Sequence, residues 1–400
     1  MVFVTNALNG GGAERSLLEV YKHINRYAFA PDLWRLIGLN MYPDYIRNDP
    51  HSKLLKPLRY NRENLSRVKH SIKLLPAQLK KAGLTRYVPD ALLVSDRLAH
   101  EMDSANDSSE FALPIVVSSQ QGMNLRCGIL DAILKKKAPL IFIEQNDPYL
   151  RYIAGEPPEK AKVAWPGIKC LYPRATRIIA VSQAIKHSLI KRFGIASKLV
   201  SVIYNPVDIK RVRGYIDGLR PTHSFFYSGD PVLVCVARMH PQKNHHLLLR
   251  AFAMARRTKK IKLLMIGTGV IETSVSRAIE EMGLQREAEI LSFRDPTPYI
   301  AHATLFVLAS HHEGHPLAML EAMACGVPVV STDWPGVKEI MTAREDGVVS
   351  KMTDIAYANA LLEGLDMASV LPAKRRLPES VAACDSVLIA RQYEQLFLQV

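Results

Sequence analysis

The stretch that indicates the fold most strongly runs from Leu305 to Val330 and reads LFVLASHHEGHPLAMLEAMACGVPVV. An apolar run from Leu305 to Ala309 predicts a buried strand, a polar loop follows it, and Pro316 suits the first position of a helix that ends near Gly326. The apolar run that begins at Val327 predicts a second buried strand. A strand, a helix and a strand in this order indicate a parallel sheet with crossover helices.

The same alternation of short apolar runs and helical patterns occurs on both sides of this stretch. In the first half the predicted strands are Val2–Thr5, Ala91–Ser95, Ile115–Ser119, Leu140–Glu144, Arg177–Val181 and Val200–Ile203. In the second half they are Val232–Val236, Ile261–Ile266, Glu289–Leu291, Leu305–Ala309 and Val327–Ser331. A stretch with six glycines and prolines, from Asn205 to Pro231, separates the two series and is the predicted linker. The sequence therefore predicts an α/β protein with two parallel βα domains.

Length and composition agree with a two-domain globular protein. The chain has 400 residues, and one domain typically needs roughly 150. Apolar residues make up 48% of the chain and charged residues 22%, which excludes a disordered or fibrous protein. The first residues lack the basic region of a signal peptide, and no window approaches the roughly 20 apolar residues of a membrane-spanning helix. Five cysteines without metal-binding spacing indicate reduced thiols and a cytoplasmic protein.

The positive charge of the chain is concentrated in its first half. The formal charge of +14 divides into +13 for residues 1–200 and +1 for residues 201–400. Residues 53–81 carry nine lysines and arginines and one acidic residue, Glu63, together with an apolar stripe at helical spacing. A basic amphipathic helix of this kind can bind an anionic membrane surface. The alternative is a core-facing helix with a solvated basic side, since Pro76 must kink or divide the helix.

Nucleic acid is a second class of anionic partner. Three lysines at 135–137 add to the basic surface, although a solvated loop explains them equally well. The sequence contains no recognisable nucleic-acid-binding module and few aromatic residues placed for base stacking. We therefore expect no nucleic acid partner.

A glycine-rich turn follows the first predicted strand. Residues 6–14 read NALNGGGAE, and Gly11 and Gly12 stand where a helix begins. Consecutive glycines let the backbone approach a ligand, and the N–H groups of a helix N-terminus can bind an anion. The alternative is a tight turn in which Glu14 caps the helix. The turn has neither the GxGxxG spacing of a dinucleotide site nor the GK[ST] ending of a P-loop.

Arg238 and Lys243 follow the first strand of the second domain. A guanidinium and an ammonium five residues apart on such a loop can converge on one diphosphate. Parallel sheets bind ligands at the carboxyl ends of their strands, where this loop begins. A solvated loop is the alternative.

Glu313 and Glu321 lie eight residues apart around the start of the helix that Pro316 introduces. The amides of Leu317 and Ala318 would stand at the helix N-terminus, where a phosphate can bind. Carboxylates beside a phosphate need hydroxyl groups to accept from, and a sugar and a ribose supply them. For either glutamate alone, a solvated or capping side chain is the alternative.

Together these motifs resemble the retaining glycosyltransferases of the GT-B fold, specifically family 4. The residues that carry the resemblance are Gly11–Glu14, Asn205–Asp208, Arg238, Lys243, Gly267, Gly269, Glu313 and Glu321. The resemblance implies two Rossmann-like domains that face a cleft. Residues 1–206 would bind the acceptor, residues 207–378 would bind the nucleotide-sugar, and a helix in residues 379–400 would return to the N-terminal domain.

The resemblance also implies roles for individual residues. Arg238 and Lys243 would bind the diphosphate and stabilise the leaving group, Glu313 would contact the donor sugar, and Glu321 would accept from the ribose hydroxyls. Many members carry a His where this chain has Glu144, Gln145 and Asn146, so no general base is assigned. The predicted catalytic residues are Arg238, Lys243 and Glu313, and the predicted substrate-binding residues are Gly11, Gly12, Glu144, Asn146, Gly267, Gly269, His315, Pro316, Leu317, Ala318 and Glu321.

The function expected from this resemblance is transfer of a sugar from a UDP- or GDP-sugar, with retention, to a lipid-linked or growing glycan acceptor in cell-surface polysaccharide or glycolipid synthesis. The expected location is the inner face of the cytoplasmic membrane. No Asp-x-Asp sequence occurs, so neither a metal nor a cofactor is expected. A non-catalytic glycan- or lipid-binding adaptor on the same fold is the alternative. An NAD-dependent oxidoreductase is disfavoured, because no GxGxxG turn is followed by an acidic residue about 20 positions later.

Overall fold

The computed structural model of the chain describes residues 1–5, 11–35, 50, 52–54, 77–81, 83–87, 115–133, 138–153, 157–370 and 377–400. The predicted strand 91–95, most of the basic segment 53–81 and the lysines at 135–137 lie outside these residues. Two compact units are formed, one from Met1–Tyr204 with Ile389–Val400 and the other from Asn205–Leu388. Among the described residues, no helix combines the length and the apolarity needed to cross a bilayer.

The first unit contains a parallel sheet of seven strands. The strands are β1 (Val2–Thr5), β2 (Asp32–Arg35), β3 (Ser52–Leu54), β4 (Val116–Ser119), β5 (Leu140–Glu144), β6 (Arg177–Ala180) and β7 (Val200–Val202). They are arranged in the order β3-β2-β1-β4-β5-β6-β7. The helices are α1 (Gly12–His23), α2 (Arg26–Phe29), α3 (Ala77–Lys81), α4 (Gln121–Ile133), α5 (Leu150–Ile153), α6 (Pro158–Leu171) and α7 (Gln183–Phe193), with short 3-10 turns at Leu84–Tyr87, Tyr172–Arg174 and Ser197–Leu199.

The second unit contains a parallel sheet of six strands. The strands are β8 (Val232–Val236), β9 (Lys262–Ile266), β10 (Ala288–Leu291), β11 (Leu305–Leu308), β12 (Val329–Thr332) and β13 (Gly347–Ser350). They are arranged in the order β10-β9-β8-β11-β12-β13. The helices are α8 (Ile209–Arg213), α9 (His245–Ala255), α10 (Glu272–Glu281), α11 (Thr297–Ala301), α12 (Leu317–Ala324), α13 (Val337–Ile340), α14 (Asp354–Val370) and α15 (Glu379–Ala382), with 3-10 turns at Ser224–Tyr227, Pro241–Lys243 and Arg344–Asp346.

The central strands β8 (VLVCV) and β11 (LFVL) are continuous apolar runs, which is typical of parallel sheets that helices cover on both faces. Every residue of β5 and of β11 is buried. In the second sheet Val234 pairs with Leu264 of β9 and with Phe306 of β11, which places β8 in the middle. Each sheet has a hydrophobic core of its own. The predicted α/β class with two parallel sheets is therefore confirmed.

The strand order fixes where a ligand site is expected in the second unit. The strand β8 lies between β9 and β11, so the order of the strands reverses beside β8. Open parallel sheets bind ligands at the carboxyl ends of the strands, at such a reversal. The loops that follow β8 and β11, together with α12, contain eight of the fourteen residues predicted to form the site.

Three strands were not predicted from the sequence. The strands β3 and β13 lie at the sheet edges, and β2, with the sequence DLWR, lacks a continuous apolar run. These strands are held by backbone pairing with a neighbouring strand. The apolar pattern of a short segment does not indicate whether such pairing occurs.

The stretch that was predicted to be a linker is part of the second folded unit. Within the stretch 205–231, α8 and the turn Ser224–Tyr227 pack into the second unit. The side chains of Val207, Val212 and Phe225 are buried in its core. Glycines and prolines in this stretch end short helical turns and do not separate two folded bodies.

The predicted C-terminal helix is divided. A break after α15 precedes a longer helix, α16 (Ser386–Phe397). Ile389, Tyr393 and Phe397 of α16 are buried in the core of the first unit. Val387 and Leu388, near the start of α16, are each 45% exposed.

Candidate functional site

Arg238 and Lys243 lie on the loop that follows β8, at the carboxyl edge of the second sheet. Arg238 is exposed. Lys243 ends the 3-10 turn Pro241–Lys243, in which the Gln242 amide donates to His240 Nδ1 at 3.2 Å. The next residue, Asn244, has a φ of 51° and is the N-cap residue before α9. These local contacts hold the backbone that carries the two cations.

Gly267 and Gly269 hold this loop against the loop that follows β9. Their φ angles are 151° and 156°, and an added Cβ would lie 2.1 Å from the Ala237 carbonyl oxygen and 2.4 Å from that of Met239, respectively. The close approach lets the Met239 amide donate to the Thr268 carbonyl at 2.8 Å. The two glycines therefore have a packing function, and their contact with a ligand stays a prediction.

Lys243 and Glu313 form the centre of the site. Lys243 Nζ donates to Glu313 Oε1 at 2.6 Å, and Ser310 Oγ donates to the same oxygen at 2.5 Å. The side chains of Lys243 and Glu313 are only 15% and 5% exposed. Gln242 Nε2 also donates to the His312 carbonyl at 2.8 Å. The loops after β8 and β11 are thus joined by side-chain contacts.

Two histidines near this centre, His245 and His315, are held in the neutral form. Burial, assisted by the nearby charge of Lys243, lowers the pKa of His245 to about 4. Burial lowers the pKa of His315 to about 3. At neutral pH these two side chains therefore add no positive charge to that of Arg238 and Lys243.

The helix α12 begins immediately after Pro316, which is the residue before the first helical position. The amides of Met319 and Leu320 both donate to the Pro316 carbonyl, at 3.1 and 3.2 Å. The amides of Leu317 and Ala318 stand at the first helical positions, where a helix offers no internal acceptor. The N-terminus of α12 therefore offers N–H groups and a partial positive charge at the carboxyl edge of the sheet.

Glu321 lies in the second turn of α12 and is 3% exposed at its side chain. Arg211 Nη2 lies 3.5 Å from Glu321 Oε1. Arg211 was not predicted from the sequence, because it lies in the stretch predicted to be a linker. Its position three residues after the Asn-Pro-Val-Asp motif is the only sequence signal that indicates it.

The glycine turn of the first unit is described from Gly11 onwards. Gly11 precedes α1 and Gly12 is its first residue. A Cβ added to Gly12 would meet no atom of the described residues within 4 Å. A Cβ added to Gly11 would lie 2.4 Å from Glu14 Oε2, and contact of this turn with a ligand stays a prediction.

Glu144 lies at the carboxyl end of β5 in the first unit and is fully buried. The Tyr172 hydroxyl donates to its Oε2 at 2.5 Å, and Asn124 Nδ2 lies 3.2 Å from the same hydroxyl. Burial raises the pKa of Glu144 to about 7, although the Tyr172 hydrogen bond lowers it. Asn146, two residues later, is half-buried. Tyr172 was missed from the sequence because its contact with Glu144 depends on the tertiary packing.

The residues that meet in the second unit suit a ligand with an anionic part and hydroxyl groups. Arg238, Lys243 and the N-terminus of α12 supply positive charge, while Glu313 and Glu321 supply acceptors. Gly11, Gly12, Glu144 and Asn146 belong to the first unit.

Two family models match the chain. One, described as "Glycosyl transferases group 1", matches residues 221–376, and one, described as "Glycosyltransferase Family 4", matches residues 112–211. Together they cover more than half of the chain. The chain belongs to the family 4 glycosyltransferases. The family that the motifs resemble is therefore confirmed.

Curated relatives of this family 4 glycosyltransferase match about half of its length. It is 30% identical over 200 residues to an N-acetylgalactosamine-N,N'-diacetylbacillosaminyl-diphospho-undecaprenol 4-alpha-N-acetylgalactosaminyltransferase of Campylobacter jejuni, covering 50% of this chain and 52% of the relative. It is 28% identical over 199 residues to a UDP-Gal:alpha-D-GlcNAc-diphosphoundecaprenol alpha-1,3-galactosyltransferase of Escherichia coli, covering 48% of this chain and 51% of the relative. The chain thus spans about half the length of these curated relatives.

Solved structures confirm the GT-B fold of the glycosyltransferase. Anabaena HepE in complex with UDP and glucose matches with a TM-score of 0.72 and 18% identity, covering 100% of this chain and 99% of HepE. Sucrose-phosphate synthase of Thermosynechococcus elongatus matches with a TM-score of 0.72 and 16% identity, covering 100% of this chain and 98% of the synthase. At these identities the matches show the fold alone.

Proposed function

We propose that this protein transfers a sugar, with retention of configuration, from a UDP- or GDP-sugar to a lipid-linked or growing glycan acceptor. The observation that carries the proposal is the contact of Lys243 with Glu313 at the strand-order reversal, beside the N-terminus of α12. Two relatives are named for transfer to undecaprenol-linked sugars, and HepE was solved with UDP and glucose. Both observations favour this class of donor and acceptor.

The second unit would bind the donor. The step that needs assistance is departure of the nucleoside diphosphate, on which negative charge develops as the bond to the sugar breaks. Arg238, Lys243 and the amides of Leu317 and Ala318 would stabilise that charge through hydrogen bonds and fixed dipoles. Glu313 forms an ion pair with Lys243, so the diphosphate would compete with Glu313 for the ammonium group.

The two glutamates would recognise hydroxyl groups. Glu313 accepts a hydrogen bond from Ser310 and keeps lone pairs for a hydroxyl of the donor sugar. Glu321 would accept from the ribose hydroxyls. The two cations and the helix N-terminus supply the charge that a metal supplies in other transferases, and the chain has no Asp-x-Asp sequence. We therefore extend the proposal to transfer without a metal or a further cofactor.

The first unit would bind the acceptor at the inner face of the cytoplasmic membrane. The charge of +13 in residues 1–200 supports attraction to anionic lipid, at about 1 kcal/mol for each basic residue at the surface. Reversal of Lys69, Lys73, Lys80 and Lys81 to Glu is expected to abolish flotation of the protein with anionic vesicles. Flotation that persists in this variant would favour a core-facing helix.

The proposed activity is tested with a panel of UDP- and GDP-sugars and a polyprenyl-diphosphate-linked sugar as acceptor, with the product anomer assigned by NMR. Transfer is expected in the presence of EDTA, and Lys243→Met is expected to lower kcat by about 100-fold or more. Lys260→Met is the matched control, because exposed Lys260 precedes β9 at the opposite edge of the sheet. Equal transfer by Lys243→Met and the native protein would contradict the assignment, and an inverted product would contradict retention.

A further inference from the structure

The segment 205–213 is attached to the donor-site helix α12 at three levels. At the start, Asn205 Nδ2 donates to the His315 carbonyl at 2.9 Å, and the Asn205 amide donates to His315 Nδ1 at 3.2 Å. At the end, Arg213 Nη1 donates to the Ala324 carbonyl at 2.8 Å. Between these two contacts, Arg211 meets Glu321. The segment therefore lies along α12 from the loop before the helix to its last turn.

Arg211 is placed by its own local structure. Asp208 Oδ1 accepts a hydrogen bond from the Arg211 amide at 3.0 Å and caps α8. The guanidinium then reaches two carboxylates, with Nη2 3.5 Å from Glu321 Oε1 and Nη1 3.6 Å from Asp295 Oδ2. Asp295 is exposed at its side chain and Glu321 is not. Arg211 thus connects a buried carboxylate to the surface of the unit.

Glu321 is buried and Asp295 is exposed, so the two ion pairs of Arg211 differ in their energetic importance. An ionised carboxylate out of contact with water is costly unless a charge or hydrogen bonds compensate it. An exposed pair such as Arg211 with Asp295 contributes little. A planar guanidinium can hold one oxygen of Glu321 in place, and the carboxylate keeps further lone pairs with which it can accept from hydroxyl groups.

We propose that Arg211 is a positioning residue of the nucleotide site, which orients the Glu321 carboxylate towards the ribose hydroxyls of the donor. The inference rests on the proposed function, because it assigns Glu321 to the ribose. It adds that the segment after Tyr204, where the second unit begins, forms part of the donor site.

The test measures the preference of the protein for ribose hydroxyl groups. UDP or GDP, whichever the native protein binds, is titrated calorimetrically beside its 2′,3′-dideoxy analogue. The native protein is expected to bind the ribonucleotide about tenfold more tightly or better, since hydrogen bonds to a charged group are involved. Arg211→Met is expected to reduce this preference to near unity while both nucleotides still bind. Arg211→Lys, which keeps the charge, is expected to retain part of it.

Arg213→Met is the matched control, because it removes a contact between α8 and α12 without touching Glu321. It is expected to keep the full preference. In a Glu321→Gln background, Arg211→Met is expected to have no further effect on the preference. A preference that survives in Arg211→Met, or is lost equally in Arg213→Met, would overturn the role of Arg211 and leave the proposed function standing. If the native protein binds both nucleotides equally well, Glu321 does not recognise the ribose hydroxyl groups. If the native protein binds neither nucleotide, the proposed function itself is contradicted.

Discussion

Replacement of Glu144 by Gln is expected to remove a large pH dependence from the free energy of unfolding. Burial raises the pKa of Glu144 from 4.5 to about 7 in the folded protein. Between these two pH values the unfolded chain has released this proton and the folded chain still holds it. Stability from this group is therefore complete below pH 4.5 and is lost as the pH rises to 7. An interval of about 2.5 pH units at about 1.4 kcal/mol each corresponds to roughly 3 kcal/mol.

The assay is urea unfolding of the native protein and of Glu144→Gln at pH 5 and at pH 8. The amide oxygen of Gln can still accept the Tyr172 hydrogen bond, so the substitution removes the titration and keeps the contact. The buried histidines His245 and His315 have lowered pKa values, so their contribution to stability has the opposite sign. Both proteins contain them, and the difference between the two proteins isolates Glu144.

The expected result is a native protein that loses about 2 to 3 kcal/mol more than the variant between pH 5 and pH 8, because the first half unit of the interval lies below pH 5. A second variant, Tyr172→Phe, removes the hydrogen bond that lowers the pKa of Glu144. It is expected to move the loss of stability to a higher pH. Identical pH dependence in the native protein and in Glu144→Gln would refute the assignment of a buried, titrating carboxyl group.

Two further predictions concern glycines. Gly269→Ala is expected to destabilise the second unit by about 3 kcal/mol or more, because the new Cβ meets the Met239 carbonyl. The control Gly283→Ala, where a Cβ has open space, is expected to cost about 1 to 2 kcal/mol. Equal losses of stability in thermal unfolding would rule out the close approach at Gly269. Gly12→Ala is expected to leave the melting temperature unchanged or slightly raised and to slow sugar transfer several-fold, and full activity in this variant would argue that Gly12 serves only the turn.

The loops at the carboxyl edge of the second sheet were predictable because their signals are local. Arg238 and Glu313 each follow an apolar run that becomes a central strand, and Pro316 marks the start of α12. The direct contact between Lys243 and Glu313 joins residues 70 positions apart. This contact depends on the order of the strands in the sheet. The order cannot be determined from the sequence, because the apolar runs of the buried strands resemble one another.

The features that the sequence did not reveal depend on packing. The stretch that contains Arg211 is rich in glycine and proline, which is typical of a linker, yet Val212 and Phe225 anchor it in a core. Glu144 was predicted as the last residue of a strand and as a substrate-binding residue, and the structure buries its carboxyl group beside Tyr172, 28 residues later. A charged residue gives no sequence signal of whether a tertiary partner will cover it.

We propose that the second unit binds a nucleoside diphosphate at Lys243 and the N-terminus of α12. The most direct measurement is a crystal structure of the protein soaked with UDP or GDP. We expect the diphosphate within hydrogen-bonding distance of Lys243 Nζ and of the amides of Leu317 and Ala318, with the contact between Lys243 and Glu313 lengthened or shared. A nucleotide bound elsewhere, with Lys243 still held by Glu313 alone, would contradict the claim.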